Sequence, residues 1–395
     1  MSGVPTIELG DIMATKSGSV DPSKFTEEIF DLYSIPAFDR GKPEITAGRD
    51  IGSAKQVVEP RDVLLSKIVP HIRRSWIVGK ERGRRIIASG EWIVFRSERA
   101  NPDYLRQVLI GDPFHNQFMN TVAGVGGSLL RARPAHVAKI EIPLPPLVEQ
   151  RRIAEVLDKA EALRAKRRAA LAQLDSLTQS LFLDLFGDPV ANSKKWDRRP
   201  FSELLEAIDS GWSPVCLDRP VTGDEWGILK LGAVTRCVYN ALENKALPAN
   251  EEPDPSLEVK AGDLLFTRKN TYELVAACAF VRATPPKLMM SDLIFRLRTK
   301  ANAPVNKVFL QNLLVYPSKR SAIQKLASGS SGSMPNISKA RLLTVPIELP
   351  PFDLQREFAR RVTAVEKLKT AQRAALSELD ALFASLQHRA FRGEL

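Results

Sequence analysis

The sequence predicts an α+β protein in which two mixed α/β domains are joined by two long helices that pair as an antiparallel coiled coil. The main observation is an internal repeat. Leu144-Pro145-Pro146 and Leu349-Pro350-Pro351 each precede a long helical pattern, at a constant offset of 205 residues. Across 144–186, 18 of 43 positions are identical to their counterparts in 349–391. A repeat on this scale indicates two similar modules with pseudo-two-fold internal symmetry.

Length and charge narrow the class of protein. The chain has 395 residues, of which 44% are hydrophobic, and this suits a globular protein of two or more domains. Its net charge of +11 favours a polyanionic partner, nucleic acid first and a membrane surface second. Three widely spaced cysteines suggest a reducing compartment. No signal peptide or membrane-spanning run is visible, so we expect a cytoplasmic protein without a membrane partner.

The two predicted domains are residues 1–143 and 191–347. Short β-branched and apolar runs such as Val63–Val69 and Leu293–Leu297 lie between Gly, Pro and Asp turn signals, as expected for strands. Each half also contains one short helical pattern, near 103–110 and 305–316.

The helical segments are predicted at residues 144–190 and 348–395. Proline disfavours helix in the preceding residue but is tolerated in the first turn, so the helices should begin near 147 and 352. Spacings of four and three alternate, as in a coiled-coil seam. The predicted seam residues are Val156, Ala160, Leu163, Arg167, Ala170, Leu174, Leu177 and Leu181 in the first helix and Arg361, Val365, Leu368, Gln372, Ala375, Leu379, Leu382 and Leu386 in the second.

One segment, Asn101-Pro102-Asp103-Tyr104, resembles the loop with which amino-methyltransferases hold their target amine. Its third residue is Asp, no glycine-rich cofactor site precedes it, and the second half lacks the pattern. A helix start with Asn101 as the N-cap is therefore preferred. The histidines are not at metal-ligand spacing. We expect neither a cofactor nor a metal.

Basic residues supply candidate phosphate contacts. The first half concentrates them in Lys67, Arg73, Arg74, Lys80, Arg82, Arg84 and Arg85. The second half disperses them over Lys230, Arg236, Arg268, Lys269, Arg282, Lys319 and Arg320. Such a set is either a solvated face or a phosphate-binding surface.

Two small-residue segments, 124–128 and 328–333, match at the same offset of 205. They form either tight turns or loops whose backbone amides approach phosphates. Residues in or directly after these segments complete the candidate DNA-binding set: Ser128, Arg131, Arg133, Ser333 and Asn336.

The Leu-Pro-Pro-x-x-x-Gln pattern at 144–150 and 349–355, each time followed by a long helix, resembles the DNA-specificity subunit of type I restriction-modification systems. The Gly-Asp-Leu-Leu-Phe strand at 262–266 and the two Gly-Ser segments extend the resemblance over essentially the whole chain. The first copy departs from the strand pattern, with Arg61 in place of the glycine.

The resemblance implies that the two domains are target-recognition domains, each reading one half of a bipartite site in double-stranded DNA. The helices would act as spacers that set the gap and dock two methylation subunits, and restriction subunits would join that core. The residues implied in the spacer and in docking are Pro145, Pro146, Gln150, Arg167, Pro350, Pro351, Gln355 and Gln372.

Three interpretations compete. The first is the non-catalytic specificity subunit. The second is a stand-alone bipartite DNA-binding regulator, which would bind tightly without any methylation subunit. The third is a DNA methyltransferase built around Asn101–Tyr104, which would bind its cofactor as an isolated chain. The doubled architecture and the missing cofactor motif favour the first.

Overall fold

The computed structural model describes residues 4–14, 18–123, 130–328 and 334–395. The chain divides into two compact units. Unit 1 comprises Met1–Arg168 with Ala374–Leu395, and unit 2 comprises Ala169–Arg373. Each unit therefore contains one α/β domain together with parts of both long helices.

The helices confirm the predicted order of elements. Their bounds are α1 Ile35–Asp39, α2 Pro102–Ile110, α3 Asp112–Met119, α4 Pro134–Val137, α5 Leu147–Phe186, α6 Phe201–Leu204, α7 Gly232–Thr235, α8 Lys307–Val315, α9 Pro317–Gln324, α10 Lys339–Leu343 and α11 Phe352–Phe391. The long helices α5 and α11 begin where the Pro-Pro pairs predict, and each has 40 residues.

The strands of unit 1 are β1 Thr6–Glu8, β2 Ser19–Val20, β3 Ile29–Tyr33, β4 Glu44–Ala47, β5 Lys55–Val57, β6 Val63–Ser66, β7 Ser75–Ile77, β8 Arg85–Ala88, β9 Trp92–Phe95, β10 Val122–Ala123, β11 Arg131–Ala132 and β12 Glu141–Pro143. A five-stranded sheet has the order β2-β5-β8-β3-β4, in which β3 and β8 run parallel. A three-stranded antiparallel sheet has the order β7-β6-β9. Strands β6 and β9 are buried at every position, which explains why all their residues except Ser66 are apolar.

The strands of unit 2 are β13 Asp197–Pro200, β14 Leu205–Ser210, β15 Gly227–Leu229, β16 Asn244–Ala246, β17 Leu264–Thr267, β18 Cys278–Phe280, β19 Leu288–Met289, β20 Ile294–Thr299 and β21 Pro346–Leu349. They form a four-stranded antiparallel sheet, β14-β20-β17-β18, and a three-stranded sheet, β16-β15-β19. Here β17 and β20 take the places of β6 and β9, so the two domains share a plan.

In each domain, the strand where the chain enters pairs with the strand where it leaves. In unit 1 the entering strand β1 pairs antiparallel with the leaving strand β12, and in unit 2 β13 pairs with β21 in the same way. Each leaving strand runs directly into its Leu-Pro-Pro segment and then into a long helix.

A buried glutamine ties each long helix to its own domain. Asn101 and Asn306 cap α2 and α8, their side-chain oxygens accepting from amides of the first turn. The backbone N–H of Asn101 donates to Gln150 Oε1 at 2.7 Å, and that of Asn306 donates to Gln355 Oε1 at 2.9 Å. Both glutamines lie in the first turn of a long helix, at 1% and 0% exposure.

The remaining hydrogen bonds of these two side chains also match. Gln150 Nε2 donates to the carbonyls of Arg99 (3.0 Å) and Pro145 (2.7 Å). Gln355 Nε2 donates to the carbonyls of Pro304 (3.1 Å) and Pro350 (2.8 Å). The glutamine of the repeated motif is thus a structural link. Its burial corrects the expectation that Gln150 and Gln355 themselves contact a docked subunit.

The long helices run antiparallel within each unit. In unit 1, Arg152 of α5 lies beside Leu395 and Arg164 beside Asp380, so rising numbers in one helix meet falling numbers in the other. In unit 2, Asp175 pairs with Lys369 at 2.9 Å, and Phe182 packs against Phe358. The predicted antiparallel pairing is confirmed.

The predicted seam is wrong in phase at four of its leucines. Leu163, Leu177, Leu368 and Leu382 are 52%, 41%, 53% and 50% exposed. The buried positions lie one residue further along, as at Leu157 in α5 and at Val362, Lys369 and Phe383 in α11. Leucines occur at both phases, so the spacing alone does not distinguish them.

The corrected phase reveals polar seam residues that the sequence reasoning missed. In unit 1, Arg164 Nε bonds Asp380 Oδ1 at 2.6 Å, and its guanidinium lies over the Phe383 ring. In unit 2, the equivalent Lys369 bonds both Asp175 and Glu366 at 2.9 Å. Charged groups inside a seam specify register, because any shift leaves them unpaired. Arg167 and Gln372 are the polar residues at matching positions of the predicted seam, and that they meet across the helix pair is a further prediction.

Replacing Gln150 or Gln355 with Ala should lower the free energy of unfolding by about 1–3 kcal/mol, because a buried backbone N–H and two carbonyls lose their partner. Urea unfolding of the full chain measures the change. Gln179→Ala, at an exposed position of α5, is the matched control and should leave stability unchanged. A cost no larger than that of the control would contradict the structural role.

Candidate functional site

Equivalent loops in the two domains carry part of the predicted DNA-binding set. Loop A, residues 67–74, follows β6, and loop B, residues 268–277, follows β17. An isolated antiparallel bridge joins Ile68 to Arg131 in unit 1, and another joins Lys269 to Asn336 in unit 2. Positions 131 and 336 differ by 205, and each lies three residues after the end of a Gly-Ser segment. Each loop is therefore paired with the same neighbouring segment of its own domain.

Loop A brings together Lys67 and Arg131 around Glu91. Arg131 Nη2 lies 3.1 Å from Glu91 Oε1, and Lys67 Nζ lies 4.0 Å from Glu91 Oε2. Two cations share one carboxylate, so this corner of the surface keeps a net positive charge. Arg133, two residues on, is exposed.

Loop B brings together Arg268, Lys269 and Asn336. The Arg268 guanidinium lies over the Phe295 ring at 5.2 Å and donates to Asn336 Oδ1 at 3.3 Å. The Lys339 ammonium approaches the same ring at 5.6 Å. Within the described residues, no carboxylate pairs with these cations. Ser128 and Ser333, the other predicted members of the two loop sites, lie outside the described residues.

Most of the basic run in the first domain is engaged inside the protein. Its ion pairs are Arg73–Asp112 (2.6 Å), Arg74–Asp39 (3.0 Å), Arg84–Asp31 (2.7 Å) and Arg85–Glu28. The hydrogen bond from Arg74 lowers the pKa of Asp39, and the one from Arg85 lowers the pKa of Glu28. In contrast, Lys80 and Arg82 are exposed and have no ion-pair partner among the described residues. The run is therefore mostly structural, and the members left for a ligand are Lys80, Arg82 and Lys67 of loop A.

Several basic residues of the second domain also have internal roles. Lys319 is 3% exposed, and its ammonium lies 2.6 Å from the buried Glu348 carboxylate. Burial lowers the pKa of Lys319, and the carboxylate opposes that effect. Arg320 donates to the carbonyls of Glu273, Leu274 and Val275. These contacts correct the expectation that Lys319 and Arg320 bind phosphate.

The remaining predicted cations of this domain are exposed. Lys230 lies at the end of β15, whereas Arg236 and Arg282 line an open cavity of about 590 Å³ with Tyr239. Arg282 lies 5.6 Å from the centre of the Phe280 ring. Neither arginine forms an ion pair with a described residue, so both remain available to a ligand.

The Asn-Pro-Asp-Tyr segment is a helix start, as predicted. Asn101 caps α2, and Tyr104 is fully buried with its hydroxyl donating to the Pro143 carbonyl at 2.8 Å. Burial raises the pKa of Tyr104. Both side chains are committed to the fold and offer nothing to a target amine.

The exposed leucines of the long helices repeat in pairs. Numbering the corrected seam as positions a and d of a heptad places Leu163, Leu177, Leu368 and Leu382 at position g. In an antiparallel pair, the flanking g position of one helix lies beside the g position of the other. Leu163 and Leu382 therefore flank the same side of unit 1, and Leu177 and Leu368 do so in unit 2. The opposite side carries charges, such as Arg168 with Asp380.

The first turn of each long helix also exposes an apolar side chain. Pro145 and Pro350 are buried, whereas Pro146 and Pro351 are exposed. Val148 and Phe352 expose apolar side chains beside them. The predicted docking prolines thus divide into one structural and one surface residue in each copy.

Two features were not found among the described residues. They contain no group of three or more His, Cys, Asp or Glu side chains placed to hold a metal ion. Among them, no helix combines the length and the apolar character needed to cross a bilayer.

Two α/β domains of one plan, with cationic loops at matching places and a 40-residue helix after each, define a protein built from an internal duplication. No protein-family model matches the chain. It is 31% identical over 210 residues to the type I restriction enzyme EcoEI specificity subunit of Escherichia coli, covering 49% of this chain and 35% of that protein. It is 26% identical over 289 residues to the EcoKI specificity subunit of Escherichia coli strain K12, covering 68% and 61%.

The matches to these two curated relatives span less than two thirds of each relative's length. The likeness to solved structures covers nearly the whole chain. The type I restriction-modification S subunit from M. genitalium aligns with a TM-score of 0.61 at 13% identity, covering 98% of this chain and 96% of that one. A chain from a type I R-M system studied for complex assembly and conformational transition aligns at 0.58 and 22%, covering 100% and 99%. These neighbours show the fold. The curated relatives are type I specificity subunits, so the resemblance that the motifs indicate is confirmed.

Arg84→Gln should lower the free energy of unfolding by about 1–3 kcal/mol, because the buried Asp31 carboxylate loses its cation while the partial exposure of Arg84 limits the cost. Arg82→Gln, two residues away and unpaired, should leave stability unchanged. Urea unfolding compares the two variants. Equal midpoints would show that Arg84 is not structurally engaged.

Proposed function

We propose that this chain is the DNA-specificity subunit of a type I restriction-modification complex and that it has no catalytic activity of its own. Each α/β domain reads one half of a bipartite site in double-stranded DNA. Two methylation subunits and restriction subunits assemble on the long helices, and the complex acts in the cytoplasm. The observation that carries the proposal is the duplication of a cationic loop site in two domains of one plan.

The proposed DNA contacts are the predicted cations that the fold leaves available. They comprise Lys67, Lys80, Arg82, Arg131, Arg133, Lys230, Arg236, Arg268, Lys269 and Arg282, with Asn336 and with Ser128 and Ser333 of the Gly-Ser segments. Cations that meet phosphates release counterions, and this gives sequence-independent affinity. Arginine and asparagine in the loop sites also have the donor patterns that read guanine and adenine edges.

The exposed g-position leucines support docking of two methylation subunits. Each unit presents one equivalent pair, Leu163 with Leu382 or Leu177 with Leu368. Such an apolar strip, formed by two exposed leucines on facing helices, suits a partner helix, which would bury it. Two equivalent strips in one chain give a stoichiometry of two. The equal lengths of α5 and α11 support a further role as spacers between half-sites.

Cells that express the chain with its methylation partner should acquire one bipartite methylated motif. Exchanging residues 191–347 for the matching domain of a relative should change one half of that motif only, because the other reading surface is untouched. Sequencing of methylated bases measures both results. Purified chain alone should transfer no methyl group to DNA. Methylation by the isolated chain would instead support the enzyme interpretation, and tight specific binding without partners would support the regulator.

Leu163→Asp with Leu382→Asp should reduce the number of bound methylation subunits from two to one, because the charges oppose burial of one strip. Native mass spectrometry of the assembled complex counts the subunits. Leu183→Asp is the matched control, since Leu183 is 48% exposed on the outer side of the same helix. Retention of two subunits by the double variant would rule out this surface.

A further inference from the structure

Loops A and B each expose a large apolar side chain beside their cations, and loop B also exposes Leu274, at 40%. Tyr272 is 48% exposed and Ile72 is 43% exposed. The two residues occupy matching turns, five residues after the last residue of β17 and six after that of β6. We infer that Tyr272 and Ile72 make direct apolar contacts with DNA bases in the two half-sites. This inference rests on the proposed function and adds specific residues to it.

The turn that carries Tyr272 is held in place by α9. Arg320 Nη2 donates to the carbonyls of Glu273 and Leu274, each at 3.1 Å, and to that of Val275 at 3.3 Å. Gln324 Nε2 donates to the carbonyl of Tyr272 at 3.0 Å. Side-chain donors thus hold the backbone of the turn while the ring points away from the core. A turn whose backbone is fixed in this way loses little conformational freedom on binding.

The base of the same turn is fixed by Asn270. This residue is 7% exposed, its backbone N–H donates to the Pro335 carbonyl at 3.4 Å, and its Nδ2 lies 3.3 Å from Thr235 Oγ1. The next residue back, Lys269, forms the bridge to Asn336. Tyr272 is therefore displayed three residues from a cation without an ion-pair partner among the described residues. An apolar ring next to such cations fits a polyanion that also has apolar faces, as DNA does.

Ile72 is held by different contacts that serve the same purpose. Its N–H donates to the Val69 carbonyl at 2.9 Å, and Val69 has a positive φ of 49° and donates to the Leu130 carbonyl at 3.2 Å. The neighbouring Arg73 ties the turn to the α2–α3 junction through the Ile110 carbonyl at 3.0 Å and Asp112 at 2.6 Å. In unit 1 the anchoring arginine belongs to the loop, whereas in unit 2 it belongs to the helix.

Two base chemistries suit an exposed apolar side chain. One is the methyl group of thymine in the major groove. The other is an unstacked base step, into which an apolar residue inserts as a wedge. Each of these two contacts replaces water at an apolar surface, and neither involves a charged group of the protein or a phosphate. Loss of the side chain should therefore weaken binding without altering its salt dependence, unlike the loss of a phosphate contact.

The test compares binding of the assembled complex to a duplex that contains its methylated motif. Tyr272→Ala should weaken binding roughly 5- to 100-fold at an unchanged salt slope. Tyr272→Phe should retain affinity, because the ring and not the hydroxyl makes the contact. Ile72→Ala should weaken binding by about fivefold. Leu242→Ala and Ile45→Ala are the controls, at other apolar positions that are 83% and 62% exposed, and should change nothing.

Modified duplexes distinguish the two chemistries. Uracil in place of each thymine of the second half-site should abolish the difference between wild type and Tyr272→Ala if the methyl group is the contact. A mismatched base step is already partly unstacked, so it should abolish the same difference if the ring inserts as a wedge. Either result supports the inference. Affinities of Tyr272→Ala and Ile72→Ala equal to those of their controls would overturn it while leaving the proposed function intact. A wild-type complex that recognises no bipartite site would instead overturn the proposed function.

Discussion

The buried amide of Gln150, and of Gln355 in the second copy, is the interaction on which the rest of this structure depends. A primary amide has an acceptor on one side and two donors on the other, and here all three are used. The oxygen accepts a hydrogen bond from the backbone N–H of the residue that caps the domain helix. The nitrogen donates to one carbonyl just before that cap and to one in the Leu-Pro-Pro segment. Few orientations satisfy all three bonds inside a core. The start of each long helix is therefore keyed to its own domain, and the residues that face the partner helix follow from that start.

Many of the basic residues that the sequence offered as ligand contacts instead bind groups of the same domain, despite the net charge of +11. Four of the arginines between positions 67 and 85 bind carboxylates of the same domain, and Arg320 and Lys319 bind carbonyls and a buried glutamate. Arginine suits such positions because its planar fork satisfies several acceptors at once. The surface that remains for a polyanion is smaller than the sequence suggests, and it is concentrated in the loops and in residues such as Arg82.

Local sequence signals were sufficient to predict where the helices begin. They were insufficient to predict which face of each long helix is buried. Pro146 and Pro351 fixed the helix starts, and Asn101 fixed the cap of α2, because these effects act within a few residues. The phase of the seam depends on which leucine row meets a partner, and Leu163 and Leu157 are equally apolar. The partners of Arg84 and Arg85 lie 53 and 57 residues away, at Asp31 and Glu28. Only the folded sheet reveals that these cations are already paired.

The two copies preserve contacts more strictly than they preserve residues. Where every group must be satisfied in a core, as for Gln150 and Gln355, both the residue and its offset are kept. Where a loop needs only to be anchored, the chemistry changes: Arg73 reaches from loop A to its helix, whereas Arg320 reaches from its helix to loop B. In the seam the position and the charge are kept while the residue changes: Arg164 and Lys369 are equivalent, and each pairs with an aspartate at an equivalent position. A scaffold of this kind lets the exposed side chains of a loop change while its backbone stays in place. Two domains built on one plan can therefore present different surfaces, as Ile72 and Tyr272 already do.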